Sequence, residues 1–146
     1  MGHPFGKPTG IYRSKFEATV ARLNDLENPQ MYENQKFKYI IPQKIIPPST
    51  HYYRPDFQIG PESWLECKGV LTLTNLETYL LVRQYHPQVS LYLLFQRGSN
   101  RLSIPKHLMN EFGLAGKNPT YLEWMKAYNF SATEGPYIPA TWRSHV

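Results

Sequence analysis

Tyr52-Tyr53-Arg54-Pro55-Asp56-Phe57-Gln58-Ile59 and Trp64-Leu65-Glu66-Cys67-Lys68-Gly69-Val70 are two extended runs joined by a turn near Gly60-Pro61. Both the architecture and the chemistry follow from how that turn closes. Strand side chains alternate faces, so Glu66 and Lys68 project from one side while Leu65 and Cys67 turn to the other. Folding back at the turn sets Asp56 across from Glu66. Two neighbouring carboxylates repel and raise each other's pKa unless a cation sits between them. The arrangement therefore suits a hard divalent ion held by oxygen, with magnesium the expected guest. Lys68 beside them can counter the negative charge, orient or deprotonate an attacking water, and stabilise charge developing on a phosphate. This is the equipment for hydrolysing a phosphodiester. The competing reading makes Asp56 a strand end and Glu66 with Lys68 a solvated stripe on an edge strand.

Outward from this pair, the segments alternate in type. Met1 to Gly10 carries His3, Pro4, Gly6, Lys7 and Pro8 without apolar periodicity and reads as a mobile basic arm, leaving 11–146 as one domain. From Ser14, Phe16, Val20, Leu23 and Leu26 form one apolar stripe on a helix predicted to end near Asn28-Pro29. Phe37 to Ile46 is a first extended segment, interrupted by prolines, ahead of the two runs quoted above. Thr74 and Asn75 offer caps, with Glu77 three residues beyond Thr74, for a second helix running to about Tyr85, where His86-Pro87 stops it. Val89 to Phe95 is nearly all apolar and reads as a strand buried on both faces. A strand, a helix and a buried strand imply a right-handed parallel crossover. From Ser99 the chain is basic and turn-rich up to Lys117. A short helical pattern follows at Tyr121, Leu122, Trp124 and Met125, then a proline-bounded tail containing Trp142. The expected fold is α/β, a mixed sheet flanked by helices, with the core order helix, three strands, helix, strand.

Composition narrows the function classes. The 146 residues suffice for one domain with its own core. A single cysteine excludes an internal disulfide, and the scattered histidines show no zinc-ligand spacing. No apolar run reaches the length of a membrane span and no signal-peptide pattern opens the chain, so a soluble cytoplasmic protein is expected. Sixteen Lys and Arg against eleven Asp and Glu give a formal charge of +5, which favours polyanionic partners.

Pro-Asp, a spacer and then Glu-x-Lys resembles the PD-(D/E)xK nuclease superfamily, whose restriction-endonuclease-like core has the same element order. Longer stretches are similar to the phage endonuclease I family of four-way-junction resolvases. These are Tyr12 to Glu17, Ile46 to Ser49, His51 to Phe57, Leu65 to Gly69, Leu80 to Pro87 and Ile138 to Trp142, in the same order. The likeness is patchy from Gly98 to Thr120, which reads as an insertion. The resemblance implies a homodimer that cuts branched DNA, especially four-way (Holliday) junctions, with Mg2+ or Mn2+. It implies 5′-phosphate ends and, for a phage-encoded enzyme, action in the cytoplasm of an infected bacterial host. It also implies that Glu17 is a metal ligand or positions the attacking water, and that the Cys67 carbonyl is a further ligand beside Asp56 and Glu66.

Two segments carry competing readings. Ser14-Lys15-Phe16-Glu17 is also a capping box, in which Glu17 would simply tie back to the helix start; pattern alone favours the cap, and the resemblance favours the ligand. Pro42-Gln43 could turn a local hairpin between Tyr39-Ile40-Ile41 and Ile45-Ile46, whereas the resemblance implies that 36–48 bridges to a partner. The dimer would then be intertwined, with composite sites that take Glu17 from one chain and Asp56, Glu66 and Lys68 from the other. Lys7, Arg13, Lys15, Arg54, Arg83, Arg97, Arg101 and Lys106 are candidate phosphate contacts. Two rival functions remain open: a nuclease of the same fold acting on linear duplex, and a non-catalytic basic DNA-binding module.

Overall fold

A computed structural model describes residues 10–42, 48–111 and 118–143. Lys7 with nearly all of the expected arm, residues 43–47 of the 36–48 segment and residues 112–117 of the 98–120 region lie outside the described residues. The first helix, α1 (Lys15–Leu23), is capped by Ser14, whose hydroxyl accepts the Glu17 N–H, a contact worth about 1 kcal/mol. It stops short of the expected Asn28-Pro29 boundary. Asn24 is its C-cap, and Asp25 takes a left-handed backbone (φ 55°) that an α-helix cannot continue through. Leu26 stays buried all the same, its N–H bonded to the Ala21 carbonyl at 2.9 Å. A short 3₁₀ turn (Pro29–Met31) follows.

The extended segments form four strands rather than three. β1 (Phe37–Ile41) pairs antiparallel with β2 (Ser49–Tyr53) in a sheet of their own, in the register Phe37 with Tyr53 and Ile41 with Ser49. Ile45-Ile46, the partner that a hairpin turn at Pro42-Gln43 would give β1, lie outside the described residues. β3 (Phe57–Gly60) and β4 (Ser63–Lys68) are antiparallel about Pro61-Glu62, as the turn predicts. The single segment expected from Tyr52 to Ile59 is thus broken at Arg54-Pro55-Asp56 and divided between two sheets. Pro55 has no N–H to give a ladder, which makes it a natural point of division.

The second helix, α2 (Leu73–Tyr85), is capped by Thr72, two residues before the expected Thr74. Thr72 and Asn75 bond each other's backbone N–H reciprocally, and Thr74 lies inside the helix. His86 ends it. β5 (Ser90–Phe95) pairs parallel with β4, Ser63 beside Ser90 and Lys68 beside Phe95, which places α2 in a parallel crossover. Its second half is buried on alternating faces, and its first residues are more open. Beyond it come α3 (Lys106–Glu111), α4 (Tyr121–Ala127) and β6 (Ser131–Glu134), which extends the sheet to the order β3-β4-β5-β6. Neither α3 nor β6 is visible as a pattern in the sequence. A 3₁₀ turn (Ala140–Arg143) carries Trp142 against Tyr92. Among the described residues no helix is long and apolar enough to cross a membrane.

Strand alternation divides the core into two layers. Leu65, Cys67 and Leu94 face Val20 and Ala21 of α1, with Phe57 and Ile59. Trp64, Leu93 and Phe95 face Leu76, Tyr79 and Val82 of α2, along with Tyr53, Trp124 and Phe130. Fully buried side chains such as Leu65 and Leu94 each contribute about 1.5–3 kcal/mol. Those contributions hold β4 in the middle of the sandwich, and β4 carries Glu66 and Lys68.

Candidate active site

Asp56 follows directly after Pro55 and before the Phe57–Leu65 pair, so the antiparallel register sets it opposite Glu66. Its N–H donates to the Leu65 carbonyl at 3.1 Å, and its Oδ2 accepts the Cys67 N–H at 2.8 Å. Both carboxylates are buried, each 7 % exposed, and both line a polar cavity of ≈ 350 Å³ with Lys68, Cys67, Glu17, Glu33, Arg13 and Arg54. Burial, followed by the charges of Glu66 and Glu17, pushes the Asp56 carboxyl well above the usual carboxylate range. Burial also raises Glu66 to about 7, against the lowering effect of the Tyr53 hydroxyl, Lys68 and the Tyr79 hydroxyl. The Lys68 ammonium lies 3.9 Å from Glu66 Oε2, at the outer limit of an ion pair. The solvated-stripe alternative fails here, because the acids are interior groups with an electrostatic cost.

Glu17 reaches the cavity from the other layer. On α1 it lies one turn before Val20 and Ala21, on the stripe that packs against the sheet. Its N–H completes the Ser14 cap, but the return bond from the Ser14 backbone, formed in the boxes at Thr72 and Thr120, is not made here. The carboxylate instead accepts the Tyr32 hydroxyl at 2.5 Å on Oε1 and the Ser14 hydroxyl at 3.3 Å on Oε2. Capping therefore uses the backbone of Glu17 and leaves its side chain directed at the cavity.

Glu33 is the member that sequence reasoning misses. Tyr32 forms an isolated antiparallel bridge with Phe57, and Glu33 next to it donates its N–H to the Asp56 carbonyl at 2.7 Å. Its φ of 47° is left-handed, which costs a non-glycine residue about 1–3 kcal/mol. The other described non-glycine residues with positive φ, Asp25 and Asn129, are short polar residues at helix ends, where that conformation is ordinary. Ligand oxygens of Glu17, Glu33 and Asp56 all lie within 4.8 Å of one another. Arg13 bridges to Glu33 at 3.0 Å, and Arg54 reaches its carbonyl at 3.5 Å. Only the left-handed φ and the distant strand bridge mark Glu33, and neither is written in a local motif.

Hard oxygen donors from separate segments, two of them buried with raised pKa values, are what a divalent cation of the magnesium or calcium kind requires. The Cys67 carbonyl is available to such an ion. Lys68 C=O accepts from Gln96 N–H on the β5 side, and carbonyls alternate along a strand. That of Cys67 therefore lies on the β3 side, with its N–H and the cavity. The thiol itself is buried and pushed above its usual pKa by burial and by the charges of Asp56 and Glu66.

The proposed phosphate contacts divide by position. Arg13 and Arg54 line the acidic cavity, and Lys15 lines a groove of ≈ 500 Å³ that shares Glu17, Cys67 and Lys68 with it. Arg97, Arg101 and Lys106 are exposed in the chain after β5, and the Arg101 guanidinium bonds the Asn118 carbonyl. Arg83 is occupied elsewhere, stacked on Phe130 and bonded to the Tyr128 carbonyl.

With this geometry in place, the comparisons with known proteins are specific. Residues 4–144 match the family described as phage endonuclease I. Endonuclease I of Escherichia phage T7 is 26 % identical over 137 residues, 93 % of this chain and 80 % of that protein. Endodeoxyribonuclease 1 of Enterobacteria phage T3 is 28 % identical over 92 residues, 62 % of this chain and 57 % of that protein.

Proposed function

Since this chain belongs to the phage endonuclease I family, we propose that it is a structure-selective endodeoxyribonuclease that resolves four-way junctions and other branched DNA by divalent-metal-dependent hydrolysis. The observation that carries the reading is the convergence of Glu17, Glu33 and Asp56 within 4.8 Å, beside Lys68 and the buried Glu66. Asp56, Glu66, Glu17, Glu33 and the Cys67 carbonyl would hold Mg2+, with Mn2+ a substitute. Bound there, the ion would offset the carboxylates' charge and polarise a phosphodiester oxygen.

The chain's own groups supply the rest. Lys68 carries its charge at Nζ on the cavity side of β4, where it can neutralise a developing phosphate charge or hold a water for attack. Glu17, anchored by two hydroxyls, presents its carboxylate at a fixed angle. Arg13, Lys15 and Arg54 flank the cavity and can receive the phosphates either side of the cut. Binding through phosphates and shape implies weak sequence preference and a steep salt dependence.

The same reading extends to an intertwined homodimer in the cytoplasm of an infected host. Glu17 and Glu33 precede the 36–48 segment, and Asp56, Glu66 and Lys68 follow it. Exchange of the N-terminal portion across such a bridge would make each site composite. Co-refolding a Glu17 variant with a Lys68 variant tests this: restored cleavage is expected, and none at any ratio contradicts the exchange.

The deciding assay for the activity itself is a four-way junction beside its constituent duplexes, in chelator and then in magnesium. Junction cleavage is expected to vanish with the chelator, return with Mg2+, and outpace duplex cleavage. Equal rates on both substrates would remove junction selectivity. Binding without cleavage in any divalent ion would leave a DNA-binding module.

A further inference from the structure

Glu66 is met from behind by two phenols that come from different elements. Tyr53, at the end of β2, donates its hydroxyl to Oε1 at 2.7 Å, and Tyr79 of α2 donates to Oε2 at 3.3 Å. Both rings are buried and stand edge to face, with centroids 5.7 Å apart. Phenylalanine would fill the same apolar space, so packing does not account for a hydroxyl at both positions. A buried carboxylate left short of donors is costly and turns toward whatever cation is near. Here that cation is Lys68, 3.9 Å from the oxygen that Tyr79 holds. An ionised carboxylate has about four acceptor positions. Two phenols on the core side leave positions open toward the cavity.

We propose that Tyr53 and Tyr79 are positioning residues for the hydrolytic site. They clamp the Glu66 carboxylate so that it offers its cavity-side acceptors to a divalent cation and does not draw Lys68 into a closed ion pair. Two separate consequences follow. Cation binding depends on the clamp in the absence of DNA, and the rate at saturating metal depends on it because Lys68 must stay free. The inference rests on the metal-dependent reading above.

Wild type, Tyr53→Phe, Tyr79→Phe and the double variant are to be compared with Tyr39→Phe. That control loses a hydroxyl of the same core which faces Thr78 rather than a carboxylate. Electron paramagnetic resonance follows Mn2+ binding to the DNA-free dialysed protein. Cleavage of a four-way junction gives the rate at saturating Mg2+ and the KM. The double variant is expected to bind Mn2+ roughly tenfold or more weakly. Each single variant is expected to lose rate with an unchanged KM, and Tyr39→Phe to match wild type in every measurement. A folded double variant that binds Mn2+ and cleaves like wild type overturns the proposal. An equal loss in Tyr39→Phe also overturns it, since core packing would then be responsible. If the double variant does not fold, the single variants decide by the same readouts. A wild type that binds no Mn2+ overturns both the clamp and the reading beneath it, whereas normal wild-type binding with unaffected variants overturns the clamp alone.

Discussion

The two ends of the four-stranded sheet carry cavities of opposite character. Where β5 begins, Val82, Arg83, Leu91 and Phe130 line a hollow of ≈ 190 Å³. Its one guanidinium is settled, bonded to the Tyr128 carbonyl at 2.6 Å and stacked 4.2 Å from the Phe130 ring centre. Where β4 ends, the larger cavity holds Asp56 and Glu66 at a pKa raised by burial and by their acidic neighbours. A hollow is therefore a poor guide to function by itself. The informative difference is buried carboxyl charge that the protein gathers and only partly offsets with its own cations.

Substitutions at the two ends should separate the cavities sharply. The largest effect is expected from Asp56→Asn, Lys68→Ala and Glu17→Gln. Each should bring single-turnover junction cleavage to background, a loss on the order of 10³-fold or more, with junction affinity in chelator and folding near normal. A fully active Glu17→Gln would leave the Ser14 cap as that residue's only role. Glu33→Gln should cost roughly ten- to a hundredfold in Mn2+ affinity or rate. An unchanged affinity would remove Glu33 from the site and leave its φ of 47° unexplained. At the opposite end, Arg83→Ala should cost about 1–2 kcal/mol in denaturant unfolding and leave the cleavage rate alone. A large loss of rate there would dissolve the contrast.

The smallest effect concerns pH and is confined to the metal-free protein. Glu66 is raised from 4.5 to about 7, and Asp56 is raised as well, so the folded state holds protons that the unfolded chain has released. Their contribution to stability is then complete below the ordinary carboxylate pKa and is lost as pH rises through the folded values. Thermal unfolding in chelator should accordingly become easier from pH 5 to 8, and Mg2+ should flatten the trend. Stability that rises across that window in chelator would contradict the burial of charge.

Much of this contrast is legible in the residues. Asp56, Glu66 and Lys68 can be read because strand alternation and one Gly60-Pro61 turn are local rules, and the structure obeys both. The α2 crossover to β5 is equally local. Glu33 is not legible, because it reaches the cavity through the Tyr32–Phe57 bridge, a contact between chain segments that no short pattern encodes. β6 escapes for a related reason. Ser131-Ala132-Thr133-Glu134 lacks an apolar rhythm and becomes a strand by pairing with β5. The early end of α1 and the break at Pro55 show the reverse failure, where the apolar pattern runs on past Asn24-Asp25 and past a proline that stop the element.

The central claim is that these acids share a place only a cation makes comfortable. It is tested most directly by thermal unfolding at pH 8 of wild type and Asp56→Asn, each titrated with Mg2+ and without DNA. Binding to the folded state alone should stabilise wild type by about 2.7 kcal/mol at a hundred times Kd, a rise of several degrees in Tm. Asp56→Asn should begin more stable than metal-free wild type, because a charge is removed, and respond little to the ion. A wild-type Tm indifferent to Mg2+, or an Asp56→Asn protein that gains as much from it, would contradict the account.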